Sequence, residues 1–173
     1  MRSCHFLLLT ALALTGCTRT IETRVSNAGL GQKLEQASFV LMPPEKTASS
    51  ELLKARSLVI AKLTTLGMTE SKDGPLYLEV GVSARPASTA LLASGRILSS
   101  ASGKKQSRNC PQLEHRLSLA LTRISDGAEI YRASAEEMHC KLPLTETLPI
   151  LVEKAMADLG NPRGEYVTQR VLK

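Results

Sequence analysis

Residues 116–136 read RLSLALTRISDGAEIYRASAE, and this stretch decides the fold. Leu117, Leu119 and Leu121 alternate with Ser118, Ala120 and Thr122, the period of a strand with one buried face. Ser125-Asp126-Gly127 then reads as a hairpin turn, with glycine where a positive φ is needed. Ile130 to Glu136 returns as the partner strand. With Ile124 opposite Ala128, Leu121 faces Tyr131, Leu119 faces Ala133 and Leu117 faces Ala135, a register that keeps the apolar side chains on one face.

Upstream, Leu76, Leu78, Val80, Val82 and Ala84 alternate with Tyr77, Glu79, Gly81 and Ser83, which predicts another half-buried strand, closed by Pro86. Before it, Leu52, Ala55, Val59, Leu63 and Leu66 fall at spacings of three and four, the stripe of a helix over about 50–66. Ser49 or Ser50 is its N-cap, Glu51 sits near its positive start, and Gly67 follows at the C′ position. Residues 37–42 read as a short strand stopped by Pro43-Pro44. Downstream, Leu148, Leu151, Val152, Ala155 and Leu159 predict a helix over 147–159, with Pro149 in its first turn and Gly160 at its end. Tyr166 to Leu172 adds a terminal strand.

This order predicts an α+β domain in which two helices pack on one face of a largely antiparallel sheet. Residues 87–109, rich in serine and carrying Lys104, Lys105 and Arg108, read as a long flexible loop. Residues 18–35 are polar, with an alternating piece at Ile21–Val25, and read as a tether leading into an edge strand.

The first twenty residues carry an address. Arg2, the apolar run Phe6–Leu14 and the small residues after it have the layout of an export signal. The run is shorter than the roughly 20 residues that a membrane span needs. Leu14-Thr15-Gly16-Cys17 resembles the lipobox of bacterial lipoproteins, in which the cysteine sulfur takes a diacylglycerol group because a thiolate is a sufficient nucleophile. Cys17 is then the acylated first residue of the mature chain, and Cys4 and His5 leave with the signal. Two or three acyl chains make such an anchor effectively permanent, since each buried CH₂ adds roughly 0.8 kcal/mol. Thr18 stands where an aspartate directs inner-membrane retention in Gram-negative lipoproteins, so the expected location is the outer membrane, facing the periplasm. The expected organisation is a cleaved signal over 1–16, an acylated N-terminus and tether over 17–35, and one α+β domain over 36–173.

Composition narrows the function. Aromatic residues make up 3% of the chain and tryptophan is absent, which disfavours stacking platforms for bases or sugars. The full chain has a net charge of +6; losing Arg2 with the signal leaves a moderately basic mature domain. Outside the cytoplasm that charge fits simple solubility, or an anionic envelope component, rather than nucleic acid.

Several segments taken together, Ala37–Pro44 (ASFVLMPP), Ala61–Met68 (AKLTTLGM), Leu76–Val82, the hairpin Leu117–Ala135 and the tail Gly160–Glu165 (GNPRGE), resemble the small envelope lipoproteins grouped as domain-of-unknown-function family 4136. The resemblance implies an envelope location and this fold. It implies no site, because the family has no agreed biochemical activity.

Cys110 and Cys140 flank the hairpin at nearly matching distances from its turn. An oxidising compartment and an even count after acylation of Cys17 favour a disulfide between them, of roughly 2–4 kcal/mol. Binding of a metal by Cys110, Cys140, His139 and His115 is the sharper alternative, but the paired spacing of a zinc site is absent. Glu114-His115 and Glu136-Glu137 before His139 can be drawn as acid–base pairs; a solvated strand end accounts for them equally. Neither a Gly-x-Ser-x-Gly elbow nor a phosphate-cradling glycine loop occurs. The expectation is a non-catalytic binding or scaffolding domain with no cofactor and no metal. It is anchored to the membrane by its lipid and meets an envelope protein or anionic component. A small envelope hydrolase using His115 or His139 is the alternative.

Overall fold

The computed structural model describes residues 20–31, 34, 37–87, 91–93, 96–99, 112–140 and 142–171. The expected signal over 1–16, Cys17 and Cys110 lie outside the described residues. In chain order the elements are β1 (Thr20–Gly29), β2 (Ser38–Leu41), α1 (Ser50–Thr65), β3 (Thr69–Glu70), β4 (Leu76–Pro86), β5 (Leu91–Ala93), β6 (Arg96–Ser99), β7 (Leu113–Arg123), β8 (Glu129–His139), α2 (Leu144–Met156) and β9 (Glu165–Val171). Seven strands form one sheet in the order β3-β2-β4-β7-β8-β1-β9, and β5 and β6 pair separately. The sheet is antiparallel except for β2, which runs parallel to both β3 and β4. Both helices pack against it and against each other, α1 over β4 and α2 over β8, β7 and β1. The protein is an α+β domain with a largely antiparallel sheet.

The β7–β8 hairpin has Leu117 opposite Ala135, Leu119 opposite Ala133 and Leu121 opposite Tyr131. Closer to the turn the expected pairing changes: the register shifts after Leu121, so that Thr122 faces Glu129 rather than Ile130. Ile124 does not face Ala128; instead Arg123 N donates to Ala128 O, and Asp126 Oδ1 accepts from Ala128 N. The extra residue of the bulge leaves both Ile130 and Tyr131 buried, consistent with the local kink that such an insertion makes. Gly127 has a φ of 68°, the left-handed conformation that the turn requires.

Helix α1 starts at Ser49, whose side chain accepts from Leu52 N at 3.2 Å, satisfying one of the four free N–H groups of the first turn. Its stripe Ala55, Val59 and Leu63 is buried. The helix ends in a Schellman arrangement: Gly67 N donates to Thr64 O, Met68 N donates to Leu63 O, and Met68 turns back into the core. Helix α2 begins earlier than its pattern predicts, at Leu144, so Pro149 lies inside the helix and not in the first turn. Pro149 is exposed, which lets water serve the carbonyl that proline leaves without a donor.

Two further expectations are corrected. Residues 20–29 are not a tether into an edge strand: β1 is a ten-residue interior strand between β8 and β9. Within the expected flexible loop at 87–109, β5 and β6 form an antiparallel hairpin; much of that stretch lies outside the described residues.

The core gathers Phe39, Val59 and Leu63 with Leu78, Leu117, Leu121, Tyr131, Leu148 and Leu151. Gly74 brings backbone against backbone on its rim. A Cβ there would meet Phe39 N and C at 2.8 Å, well inside contact distance. Gly74→Ala should therefore unseat β2 and cost about 1–3 kcal/mol, the range for overpacking. Urea unfolding of the variant checks this; an unchanged midpoint would show that the turn has slack. No helix among the described residues is long and apolar enough to cross a membrane.

Candidate functional site

At the end of the sheet where β7 begins and β8 ends, the face turned toward the helices becomes polar. Alternation along the strands dictates who meets there: His115 of β7, Glu137 and His139 of β8, Thr23 of β1 and Arg170 of β9 share one face, since Thr23 and His115 both pair with Glu137 and Arg170 pairs with Ile21. Thr147, near the start of α2, reaches down onto the same group. His115, Glu137 and His139 are 1%, 1% and 4% exposed.

Glu137 is the centre. Thr23 Oγ1 donates to its Oε1 at 2.6 Å, His139 Nε2 lies 2.8 Å from its Oε2, and Arg170 donates through Nε and Nη2 at 3.0 and 2.8 Å. Burial works against ionisation of this carboxyl, but the hydrogen bonds from His139, Arg170 and Thr23 outweigh it and hold it down at about 2. His115 Nδ1 lies 3.1 Å from Thr147 Oγ1, whose hydroxyl also donates to Leu144 O. The rings of His115 and His139 are 5.0 Å apart and tilted by 31°. Burial first, and the neighbouring His139 second, push His115 down to about 4, against the attraction of Glu137. A neutral imidazole is therefore the form in which His115 is held.

A second polar cluster clamps the opposite end of β9. Asp158, just after α2, accepts from Asn27 Nδ2 at 2.8 Å, Tyr166 OH at 2.6 Å and Arg163 Nε at 2.7 Å. Asn27 Oδ1 in turn accepts from the backbone N–H groups of Arg163 and Gly164, and the Arg163 guanidinium lies over the Tyr166 ring at 4.2 Å. Burial opposes the charge on Asp158, yet the donors Tyr166, Arg163 and Asn27 keep its carboxyl below the usual range. On the other face of the sheet Arg85 grips Glu114 with two bonds of 2.8 Å, and Arg116 pairs with Glu136.

The residues singled out in the sequence are thus distributed as follows. His115 and His139 do come together, with Glu137 beside them. Glu114 and Glu136 point to the opposite face and take arginine partners there. Cys140 immediately follows β8 and is held in a disulfide; Cys110 is outside the described residues. Among the described residues no group of three or more His, Cys, Asp or Glu side chains is arranged to hold a metal ion. Thr23, Thr147 and Arg170 were not singled out. Their only signal is a polar residue at an inward position of an otherwise apolar face, and that is invisible until the strand is recognised as interior.

Chemically, the histidine–glutamate cluster has acid, base and hydroxyl groups at bonding distance, but every bond runs inward and the imidazoles do not face solvent. Its arrangement ties four strands and a helix together.

No protein-family profile matches the chain, and no curated protein matches it. Solved structures do share the fold. One is a dodecamer of a single-residue variant of PelC from Paraburkholderia phytofirmans, at 13% identity and a TM-score of 0.50 over 82% of this chain and 98% of that one. Another dodecamer of PelC from the same organism gives 12% identity and a TM-score of 0.50 over 82% and 99%. A PDZ domain protein from Parabacteroides distasonis has 11% identity and a TM-score of 0.57 over 88% of this chain, and the match spans 39% of that larger chain. At such identities the likeness is one of fold.

Proposed function

We propose that this chain is a lipid-anchored, non-catalytic binding or scaffolding domain of the bacterial cell envelope, attached through Cys17 to the outer membrane and facing the periplasm. The observation that carries this reading is the lipobox-like Leu14–Cys17 combined with the start of β1 at Thr20. Thr18 and Arg19 alone separate the acylated residue from the sheet, so the domain rides at the membrane surface rather than on a long leash. The burial of His115 and His139 supports a binding role over a hydrolase. The resemblance to family 4136 fits the same placement, and a bridge between Cys140 and Cys110 fits an oxidising compartment. Its partner is an envelope protein or an anionic envelope component.

Metabolic labelling with radioactive palmitate tests the anchor. The wild type should take up label and fractionate with the outer membrane, and Cys17→Ala should lose both properties. Absence of label in the wild type would sink the proposal.

A further inference from the structure

Strand β9 ends the sheet, and among the described residues no strand lies beyond it. Asn27 N donates to Gly164 O, and antiparallel backbone groups alternate in direction. Those of Tyr166, Thr168 and Arg170 therefore point toward β1, while those of Glu165, Val167, Gln169 and Val171 point outward with no strand to receive them.

Natural sheets blunt such edges with short strands, proline, bulges or charge. The opposite edge follows the rule, since β3 has two residues. β9 does not. It has seven residues, no proline and an unbroken register with β1, and among its outward positions only Glu165 is charged. Val167 and Val171 are 55% and 54% exposed. Both ends of the strand are held rigid, by Asp158 and Asn27 at its start and by the Arg170–Glu137 pair at its finish.

We propose that β9 is a self-association edge, at which two copies of this chain pair antiparallel about a two-fold axis at Gln169 and join their sheets. The occupant is a second copy because the strand is complementary to itself. In this register Val167 meets Val171 of the second copy, and Val171 meets Val167, so both exposed apolar pairs are covered on one face. Gln169 faces its own equivalent, and the outward backbone groups supply about six hydrogen bonds. On the other face Thr168 lies opposite Arg170 of the second copy. Thr168 Oγ1 is buried and among the described residues has no hydrogen-bond partner, a cost that such groups rarely bear unrelieved. The interface is isologous, since the short β3 edge offers no matching strand for a head-to-tail contact. This inference does not depend on lipid anchoring.

Light scattering of the purified full chain in mild detergent, over a range of concentrations, tests it. A dimer is expected. Val167→Pro removes an N–H that points away from β1, so it should leave the circular dichroism of the folded protein unchanged while shifting the protein to monomer and removing any concentration dependence of thermal unfolding. Val167→Lys should do the same by setting a charged side chain against Val171 of the second copy in place of an apolar pair. Gln169→Cys should form a covalent dimer on mild oxidation, and Val167→Pro in the same chain should abolish it. A wild-type protein that stays monomeric at every concentration overturns the proposal, as does an assembly that persists in both Val167 variants. Cross-linking through Thr168→Cys but not Gln169→Cys overturns the Gln169 axis.

Discussion

Replacing Glu137 with alanine is expected to lower the unfolding free energy by about 3–5 kcal/mol, the range for removing one partner of a buried ion pair. The carboxylate is the shared acceptor for Thr23, His139 and Arg170. Without it the buried threonine hydroxyl has nothing to accept its proton and the half-buried guanidinium loses its carboxylate, and the cost of that desolvation exceeds the net gain of the bonds themselves. Because Arg170 anchors the finish of β9, the effect reaches beyond the cluster and loosens the edge of the sheet. Glu137→Gln keeps the shape and one acceptor but loses the charge, so it should fall between wild type and alanine. Urea unfolding followed by circular dichroism measures both. Equal stability of all three proteins would mean that water, not Glu137, serves Arg170 and His139.

Acidification should destabilise the protein in two steps that belong to the same cluster. His115 titrates at about 4 in the fold against an ordinary value of 6.5. Between those values the unfolded chain binds the extra proton, so this contribution is complete above pH 6.5 and is lost as pH falls toward 4. The shift corresponds to about 3 kcal/mol. Glu137, held at about 2 against an ordinary 4.5, adds stability that is present above pH 4.5 and is lost as pH falls toward 2. Unfolding curves between about pH 8 and pH 3 should therefore slope downward through the first window. His115→Gln should flatten that slope while leaving the lower one. Nuclear magnetic resonance titration of the His115 ring gives the direct check, and a midpoint near 6.5, its ordinary value, would remove the basis of the first step.

Much of the architecture was legible in the residues because it rests on local periodicity. The hairpin around Asp126-Gly127, the strand from Leu76, the capped stripe of α1 and its Gly67 terminus all follow from patterns within one element or between adjacent ones. Register within the hairpin was legible for the same reason, as far as the bulge. The bulge itself is set by how Ile130 and Tyr131 both find room in the core, which no alternation encodes.

The error at residues 18–35 has a physical cause. β1 alternates Ile21, Thr23, Val25 and Asn27 on its inward face, and two of the four are polar, so the stretch resembles a solvated segment. Burial becomes favourable only because Glu137 and Asp158, more than a hundred residues away in the chain, accept from Thr23 and Asn27. Similarly, His115 and His139 look like strand-end polar residues until β8, β1, β9 and α2 close over them.

The amino-acid sequence by itself determined the α+β class and the principal helices and strands, since each is a matter of spacing within a short stretch; the anchoring proposal likewise rests on one short stretch, the lipobox-like Leu14–Cys17. Only the tertiary structure decided that the N-terminal segment inserts between β8 and β9, that β2 runs parallel to β4, and that the histidines gather around Glu137. Those outcomes depend on which polar groups find partners once distant strands are side by side, and pairing of that kind is a property of the assembled sheet rather than of any one segment.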